Sequence, residues 1–587
     1  MRRSVRLAAQ LEAAEMQNAC TSDEEISNAS DVECDEDITI EQSDSCSEQS
    51  ISESEWPTTS KPKRGRPSLL RAKNCTWSVT PVSSTTMSKN LRNSIDRESI
   101  IPSPKEAALQ IKSPLEAWSL LMSENIIDKI VKFTNIELLR YTAANNVSDH
   151  IVIKTIDKIE IKAFFGLLYY SGLFKVNRTD IEDLWSVHSL SLFRATMTYR
   201  RFKIILRCIR FDDKETRKER LQNDKFAHIR ECWDMFISNC KNYYEPGKNV
   251  TIDEQLLSFR GRCSFKIYIP SKPDRYGLKI VSIHDAETHY MFDALPYTGT
   301  IVNKEPTESV PAYFVRKLCE SISGSNRNIT ADNWFTSLPI VEKLSDSNLT
   351  YVGTIRKNKQ EIPESFKRAP ADNSDAQFAF RKNMTLLSYY PKKKNKKVVL
   401  LLSSLHKDRG IDAETNKPNI VVFYNKTKGG VDSFDKKCHD YSVARRTQRW
   451  PLRFMYGMLD QCNVNAHILH NFCENNSMLS RKKFVLELAM SLVKPLLTLR
   501  LTLPTLRISV RNLIEQFIPN EERFENQLIE DELPTNLHEK PKRCQLCPYS
   551  SDRKSRAFCI RCRKTMCKEH VAKICTICEK KKLFKVF

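Results

Sequence analysis

Apolar positions recur at helical spacing from Leu115 to about Tyr244. Trp118, Leu121, Ile126, Ile127, Ile130 and Val131 form one series, closing near Phe133, and Phe164, Phe165, Leu167, Leu168 and Tyr169 form another. A third, Tyr199–Phe211, sets apolar residues on one face and Arg and Lys on the other, a face either solvated or laid on phosphates. From Val250 the texture changes to strands: Val250–Asp253, then Leu278–Ile283 and Thr288–Ala294 around the hairpin turn Asp285-Ala286-Glu287. An amphipathic helix over Pro311–Ile322, a short strand Asn328–Asp332, a helix Ser337–Leu344 and a strand Thr350–Ile355 follow. Residues 358–418 read as an insertion with short strands such as Val398–Leu402 and the cationic run Lys392–Lys397. Asn419–Asn425 returns to strand, Gly429-Gly430 opens a helix, and helical texture continues to about Phe517, with Pro451 and Pro495 expected to break it.

The order β-β-β-α-β-α-β, with an acidic residue on the first strand and another ending the fourth, is the layout of a ribonuclease-H-like core. The expected fold class is therefore α+β and multidomain. Residues 1–105 are a disordered arm, 106–248 the first part of a helical domain, and 249–357 the first part of the core. The insertion is 358–418, the last part of the core 419–441, and the second part of the helical domain 442–520. A linker, 521–543, leads to a Cys-rich module, 544–587.

Charge sharpens this picture. The chain carries +21, but residues 21–55 hold thirteen acidic and no basic residues, which leaves +34 on the remainder. A body this basic points to nucleic acid before any small-molecule substrate. The longest apolar run, Ala163–Phe174, is too short to span a bilayer, so no membrane partner is expected. In the arm, Lys61-Pro62-Lys63-Arg64-Gly65-Arg66-Pro67 resembles an AT-hook, with Arg64 and Arg66 on a backbone able to enter a narrow A·T minor groove. A nuclear-import signal is the alternative, and both readings place the protein in the nucleus.

Asp253 stands before a basic, aromatic run: Arg260, Arg262, Lys266, Tyr268, Lys272, Arg275, Tyr276 and Lys279. A carboxylate beside so many cations suggests a metal-dependent site for phosphates. Two Mg²⁺ (or Mn²⁺) ions about 3.5–4 Å apart suit phosphodiester chemistry and need few carboxylates. Asp253, Asp332 and Asp432 would supply them if the fold brings them together, and Asp435, one helical turn after Asp432, would be a fourth. For Asp432 a helix cap after the glycine pair is the alternative.

Seven of the nineteen cysteines fall in the last 44 residues. Cys544/Cys547, Cys559/Cys562, Cys567/His570 and Cys575/Cys578 form four pairs, enough for two structural Zn²⁺ ions. In a cross-brace, the first and third pairs share one metal and the second and fourth the other. A RING-type ligase is the rival, though its histidine usually stands fourth or fifth among the ligands and here it is sixth.

The blocks Thr251–Gln255, Phe259–Cys263, Tyr268-Ile269-Pro270, Lys272-Pro273, Asp332–Phe335, Thr427–Asp432 and Arg449-Trp450-Pro451 resemble the piggyBac transposases, over roughly residues 115–587. The resemblance implies a cut-and-paste DNA transposase whose catalytic aspartates fall on Asp253, Asp332 and Asp432, with an additional essential one on Asp435. It implies nicking at transposon ends, hairpin intermediates and joining of 3′-OH ends at TTAA. The partners it implies are double-stranded terminal-repeat DNA and a second copy of the chain, paired through the helical domain. Arg260, Arg262, Lys272, Asn333, Arg449 and Trp450 become candidate DNA contacts, with core packing the alternative for Trp334 and Trp450. The Cys-rich module would bind transposon ends. A host-adopted DNA-binding protein that keeps the scaffold but no longer transposes stays open as the other reading.

Overall fold

Ten residues, Asn249–Ser258 (β1), form the strand on which the site is built. In this computed structural model the described residues are 40–41, 69–73, 75–81, 97–146, 153–270, 272, 274–299, 304–369, 375–390, 397–473, 476–518, 537–558 and 564–570. Antiparallel to β1 runs Tyr276–Asp285 (β2), and Met291–Pro296 (β3) pairs with β2 beyond the turn. On the other side of β1 lie Asn328–Ala331 (β4) and Thr350–Thr354 (β5), both parallel. The order is β3-β2-β1-β4-β5, with helices Val310–Cys319 (α6) and Leu338–Asp346 (α7) in the connections before β4 and β5. Nine of the ten β2 residues are buried, as in a sheet covered on both faces, and the polar ones among them, Lys279, Ser282, His284 and Asp285, are buried with the rest.

Residues 376–403, within the segment expected to be an insertion, extend this sheet. Ala376–Arg381 (β6), Met384–Tyr389 (β7) and Val399–Ser403 (β8) form an antiparallel meander that joins at β5 through β8. At the far edge β6 pairs with Cys75–Ser78, itself hairpinned to Leu69–Ala72. Besides the two-residue strands Ile40–Glu41 and Ser103–Pro104, the arm expected to be disordered to residue 105 therefore holds these two strands. They are anchored by Trp77, whose side chain is 0% exposed and whose Nε1 donates to the Glu361 carbonyl at 2.9 Å. One Trp amid Ser and Thr gives no periodic signal, and only the partner strand shows its role.

Asn419–Thr427 (α8) is a helix, not the expected strand. Ile420 and Val421 are buried against Val352, Leu387 and Leu401 of the sheet, with Phe423 and Tyr424 packed beside them. A short β-branched run buried on one face fits either element, and this one begins after Pro418, which sits at the helix start. Gly430–Asp440 (α9) follows directly.

The helical domain is assembled from both ends of the chain. The series expected to be one helix ending near Phe133 is two, Pro114–Leu121 (α1) and Glu124–Ala144 (α2), separated at Met122-Ser123. Lys158–Leu173 (α3) and Trp450–Phe472 (α10) meet α1: Trp118 Nε1 donates to Tyr169 Oη (2.9 Å), which donates to the Leu459 carbonyl (2.8 Å). Pro451 sits in the first turn of α10, where its missing N–H costs nothing. Tyr199–Cys208 (α4), which precedes Arg230–Asn242 (α5), is amphipathic as expected, but Arg201 is spent internally, donating twice to Glu160 at 2.7 Å.

The chain divides into two units, 1–181 with 200–492, and 182–199 with 493–587. In the second, Trp185 Nε1 donates to Met197 O at 2.8 Å, and Arg500 donates to the carbonyls of Arg194 and Ala195. Pro495 lies inside the helix Arg481–Thr502 (α11) without ending it. Val493, Leu496 and Leu497 around it are buried, and that packing offsets the missing hydrogen bond. Among the described residues no helix is long and apolar enough to cross a membrane.

Candidate active site

Asp253 and Asp332 are set side by side by strand register. Ile252 of β1 pairs in parallel with Ala331 of β4, so the next residues of each strand, the two aspartates, stand at neighbouring positions about 4.8 Å apart along the ladder. Two residues back, the paired Thr251 and Thr330 point to the same face. Thr251 Oγ1 donates to the Thr427 carbonyl (2.5 Å), and Thr330 Oγ1 lies 2.8 Å from Thr427 Oγ1. The end of α8 is thereby clamped to both strands on the aspartate face.

That clamp brings down α9 and the other two carboxylates. A Cβ on Gly430 would lie 2.8 Å from Thr251 Oγ1 and 3.1 Å from Thr251 Cβ, so only glycine lets the helix approach β1 this closely. Gly429 meets nothing nearer than 3.8 Å, so of the glycine pair only Gly430 is sterically required. Asp432 lies in the first turn of α9 and Asp435 one turn further. Asp435 Oδ1 accepts from Gln255 Nε2 at 2.7 Å, and Gln255 is on the same face of β1 as Asp253. Gly430→Ala is expected to lift α9 off β1 and weaken divalent-cation binding at the aspartates by about tenfold or more, the typical cost of misplacing a metal ligand's support. Mn²⁺ titration followed by electron paramagnetic resonance would measure it.

The electrostatics fit a cation site. Burial, the neighbouring Glu254 and then Asp332 hold the Asp253 carboxyl well above the usual carboxylate range. Burial and Glu254 likewise push Asp332 up to about 6, against hydrogen bonds from the Trp334 and Phe335 amides. Tyr424 of α8 is pushed up to about 12 by burial, with Asp332, Asp253 and Asp432 adding to the rise. Asp253, Asp332 and Asp435 are half-buried and Asp432 is exposed, so the negative charge gathers at a place open to solvent on one side, and oxygen donors of this kind suit Mg²⁺ or Mn²⁺. Lys279 supplies a buried counter-charge to one side. Its Nζ lies 4.0 Å from Glu254 and 3.7 Å over the Trp334 ring.

The basic run forms an open groove. Arg260, Lys266, Tyr268, Arg275 and Tyr276 line a cavity of about 550 Å³, in which the Tyr268 and Tyr276 ring centres are 4.8 Å apart. Arg260 and Arg262 are exposed and Lys272 half-buried. Asn333 accepts from Arg356 Nε at 3.1 Å. Trp450, expected as a DNA contact, is 5% exposed and packs against Phe226, Phe265 and Phe454. Arg449 donates to the carbonyls of Leu206, Arg207 and Ile209. Both are spent on packing and capping, for which an Arg-Trp-Pro triplet carries no distinguishing signal. Arg64 and Arg66 lie outside the described residues. The residues that sequence reasoning missed are Gln255, Tyr424 and Gln461. Only Gln255 had a signal, its position two residues after Asp253 on one strand face.

In the second unit, Leu537–Arg543 and Lys554–Ala557 form a hairpin that presents Cys544. Among the described residues, Cys544, Cys547, Cys567 and His570 form the group whose ligand atoms all lie within 4.8 Å of one another. Cys547 Sγ is 3.6 Å from Cys567 Sγ, and His570 Nδ1 is 3.3–3.7 Å from the three sulfurs. Bond lengths of about 2.3 Å to sulfur and 2.0–2.1 Å to nitrogen give tetrahedron edges of about 3.4–3.8 Å, so the set fits Zn²⁺. The first and third pairs converge, as the cross-brace requires. Cys559, Cys562, Cys575 and Cys578 lie outside the described residues. Beside the cluster, Arg553 pairs with Glu569.

A sheet bearing adjacent aspartates, a helix bringing further ones and a basic groove suit metal-dependent chemistry on a phosphodiester. The family described as Transposase IS4 matches residues 113–467. Human PiggyBac transposable element-derived protein 3 is 24% identical over 403 residues, 62% of this chain and 63% of the relative's length. The human Chimeric ERCC6-PGBD3 protein is also 24% identical over 403 residues, which cover 62% of this chain and 35% of that protein. The chain thus spans less than two thirds of the length of either relative. The piggyBac transposase synaptic complex with hairpin DNA, solved by cryo-EM, superposes with a TM-score of 0.69 at 36% identity, over 81% of this chain and 99% of that one. The chain belongs to the piggyBac-type transposase family.

Proposed function

We propose that this protein is a cut-and-paste DNA transposase that nicks transposon ends, forms hairpins and joins the freed 3′-OH ends at TTAA sites. The observation that carries this reading is the register pairing that sets Asp253 beside Asp332, with α9 lowered onto them through Gly430. The order β3-β2-β1-β4-β5 supports a ribonuclease-H-like core. Asp253, Asp332, Asp432 and Asp435 would hold two divalent cations, Mg²⁺ in the cell, which supply charge neutralisation and an activated oxygen nucleophile. The chain's own residues orient those carboxylates and exclude water from beneath them, and the groove residues Arg260 and Arg275 steer the phosphate backbone. Two ends must be cut together, so the working form is a homodimer. The Cys-rich module recognises the ends, and the protein acts in the nucleus.

An excision assay tests this, with the genomic sequence flanking the gene supplied as donor ends. Scarless repair at TTAA is the expected product. If excision fails and purified protein with Mg²⁺ joins no 3′-OH oligonucleotide to plasmid, the adopted DNA-binding reading takes its place. Arg260→Ala with Arg275→Ala is expected to weaken DNA binding uniformly across sequences. The slope of log K against log salt should fall by about 0.9 for each phosphate no longer neutralised, measured by fluorescence anisotropy.

A further inference from the structure

Asp435 is held by a chain of two amides. Gln461 Nε2 of α10 donates to Gln255 Oε1 at 2.7 Å, and Gln255 Nε2 donates to Asp435 Oδ1 at 2.7 Å. The chain runs one way: Gln255 turns its NH₂ to the Asp435 carboxylate oxygen and its own oxygen to Gln461. Both amides are buried, Gln255 to 3% and Gln461 to 0% exposure. Gln461 Oε1 has no hydrogen-bond partner among the described residues. A buried carbonyl without a donor is a cost to folding, and an apolar side chain of similar shape would avoid it. Stability alone therefore does not account for glutamine at this position, whereas orientation of Asp435 does. His439 Nδ1 bonds the Asp435 main-chain oxygen at 2.9 Å and stands 3.5 Å from Asp435 Oδ1, but its side chain is 55% exposed, so it holds the carboxylate less firmly than the buried amide does.

We propose that Gln461, acting through Gln255, is a positioning residue that presents Asp435 as an acceptor on the aspartate face and so sets the affinity of the site for divalent cations. This rests on the transposase reading for its purpose and on the hydrogen-bond chain for its substance. Gln461 touches neither aspartate of the strands, and no sequence motif marks it.

The test uses the full-length, zinc-loaded protein and Gln461→Met, which keeps the shape of the side chain. Three quantities are measured: Mn²⁺ affinity by electron paramagnetic resonance, melting temperature without divalent metal, and nicking of an end-bearing duplex. Loss of an orienting partner typically costs about tenfold or more in metal affinity or activity, and that loss in Mn²⁺ affinity is expected with the melting temperature unchanged or raised. A lower melting temperature with unchanged Mn²⁺ affinity would make Gln461 a purely structural residue and overturn the proposal. Should Gln461→Met not fold, Gln461→Asn keeps the amide but is one methylene too short, and wild-type Mn²⁺ affinity in that variant overturns it equally. Wild type that binds Mn²⁺ without nicking would sink the transposase reading alone, because the relay is judged on affinity.

Discussion

Asp253→Asn is expected to abolish nicking and end joining while raising the melting temperature of the metal-free protein. The rate should fall by about three orders of magnitude or more, as when one member of a catalytic unit is removed. The gain in stability has the same origin. Asp253 is half-buried beside Glu254 and Asp332, and partial loss of solvent together with those neighbours makes its charge costly. An uncharged, nearly isosteric amide removes the repulsion. The pH dependence follows from the direction of the shifts. Asp253 and Asp332 have folded-state pKa values above their unfolded ones, with Asp332 at about 6. The folded protein therefore holds protons that the unfolded chain has lost, and the metal-free protein becomes less stable as pH rises through about 6. Bound Mg²⁺ should stabilise most above that pH and progressively less below it, as protons compete for the same oxygens. Thermal melts from pH 5 to 8, with and without Mg²⁺, check both points. Identical, flat profiles for wild type and variant would contradict this account of the site.

Cys567→Ser is expected to unfold the hairpin module around residues 537–570 and to leave the melting of the first unit unchanged. The module is too small to bury an adequate core, so metal binding must supply its folding free energy, on the order of 10 kcal/mol for structural zinc in peptides. Limited proteolysis should add cleavages between residues 537 and 570 in the variant, or in chelator-treated wild type, while the sheet strands β1–β8 and helices α1–α10 stay protected. If the module recognises transposon ends, specific binding should be lost and non-specific binding kept. Equal protease resistance with and without zinc would show that the Cys544, Cys547, Cys567 and His570 cluster is not a folding element.

Most of the site was legible where chemistry and periodicity coincide. Asp253 and Asp332 stand out because each sits on or directly after a short apolar strand, and parallel pairing then puts them together. The glycine pair signalled a helix start, but its steric reason depends on Thr251, 179 residues earlier, which no local pattern announces. The segment Asn419–Asn425 misleads because burial on one face of a helix and burial in a strand select the same β-branched residues. Trp450 misleads for the opposite reason. Beside Arg449 it reads as a surface aromatic, and only the Phe226, Phe265 and Phe454 cluster shows it to be core. Trp77 and Gln461 are invisible for a shared reason: each acts through one distant partner, Glu361 and Gln255, and leaves no period in its own neighbourhood.

The pairing of α1 with α10 has a consequence for synthesis. Trp118 and Tyr169 leave the ribosome early, but the Leu459 carbonyl that completes their hydrogen-bond chain comes 290 residues after Tyr169. The hairpin of Leu69–Ser78 likewise waits for Phe380 before its edge pairing closes. An interrupted translation product ending before residue 430 carries Asp253 and Asp332 but neither α9 nor α10. It is left with unburied helices and half a set of carboxylates, a species for proteases rather than for DNA. Contacts this distant in sequence make folding slow, and they also leave the carboxylate set incomplete until α9 and α10 have been made.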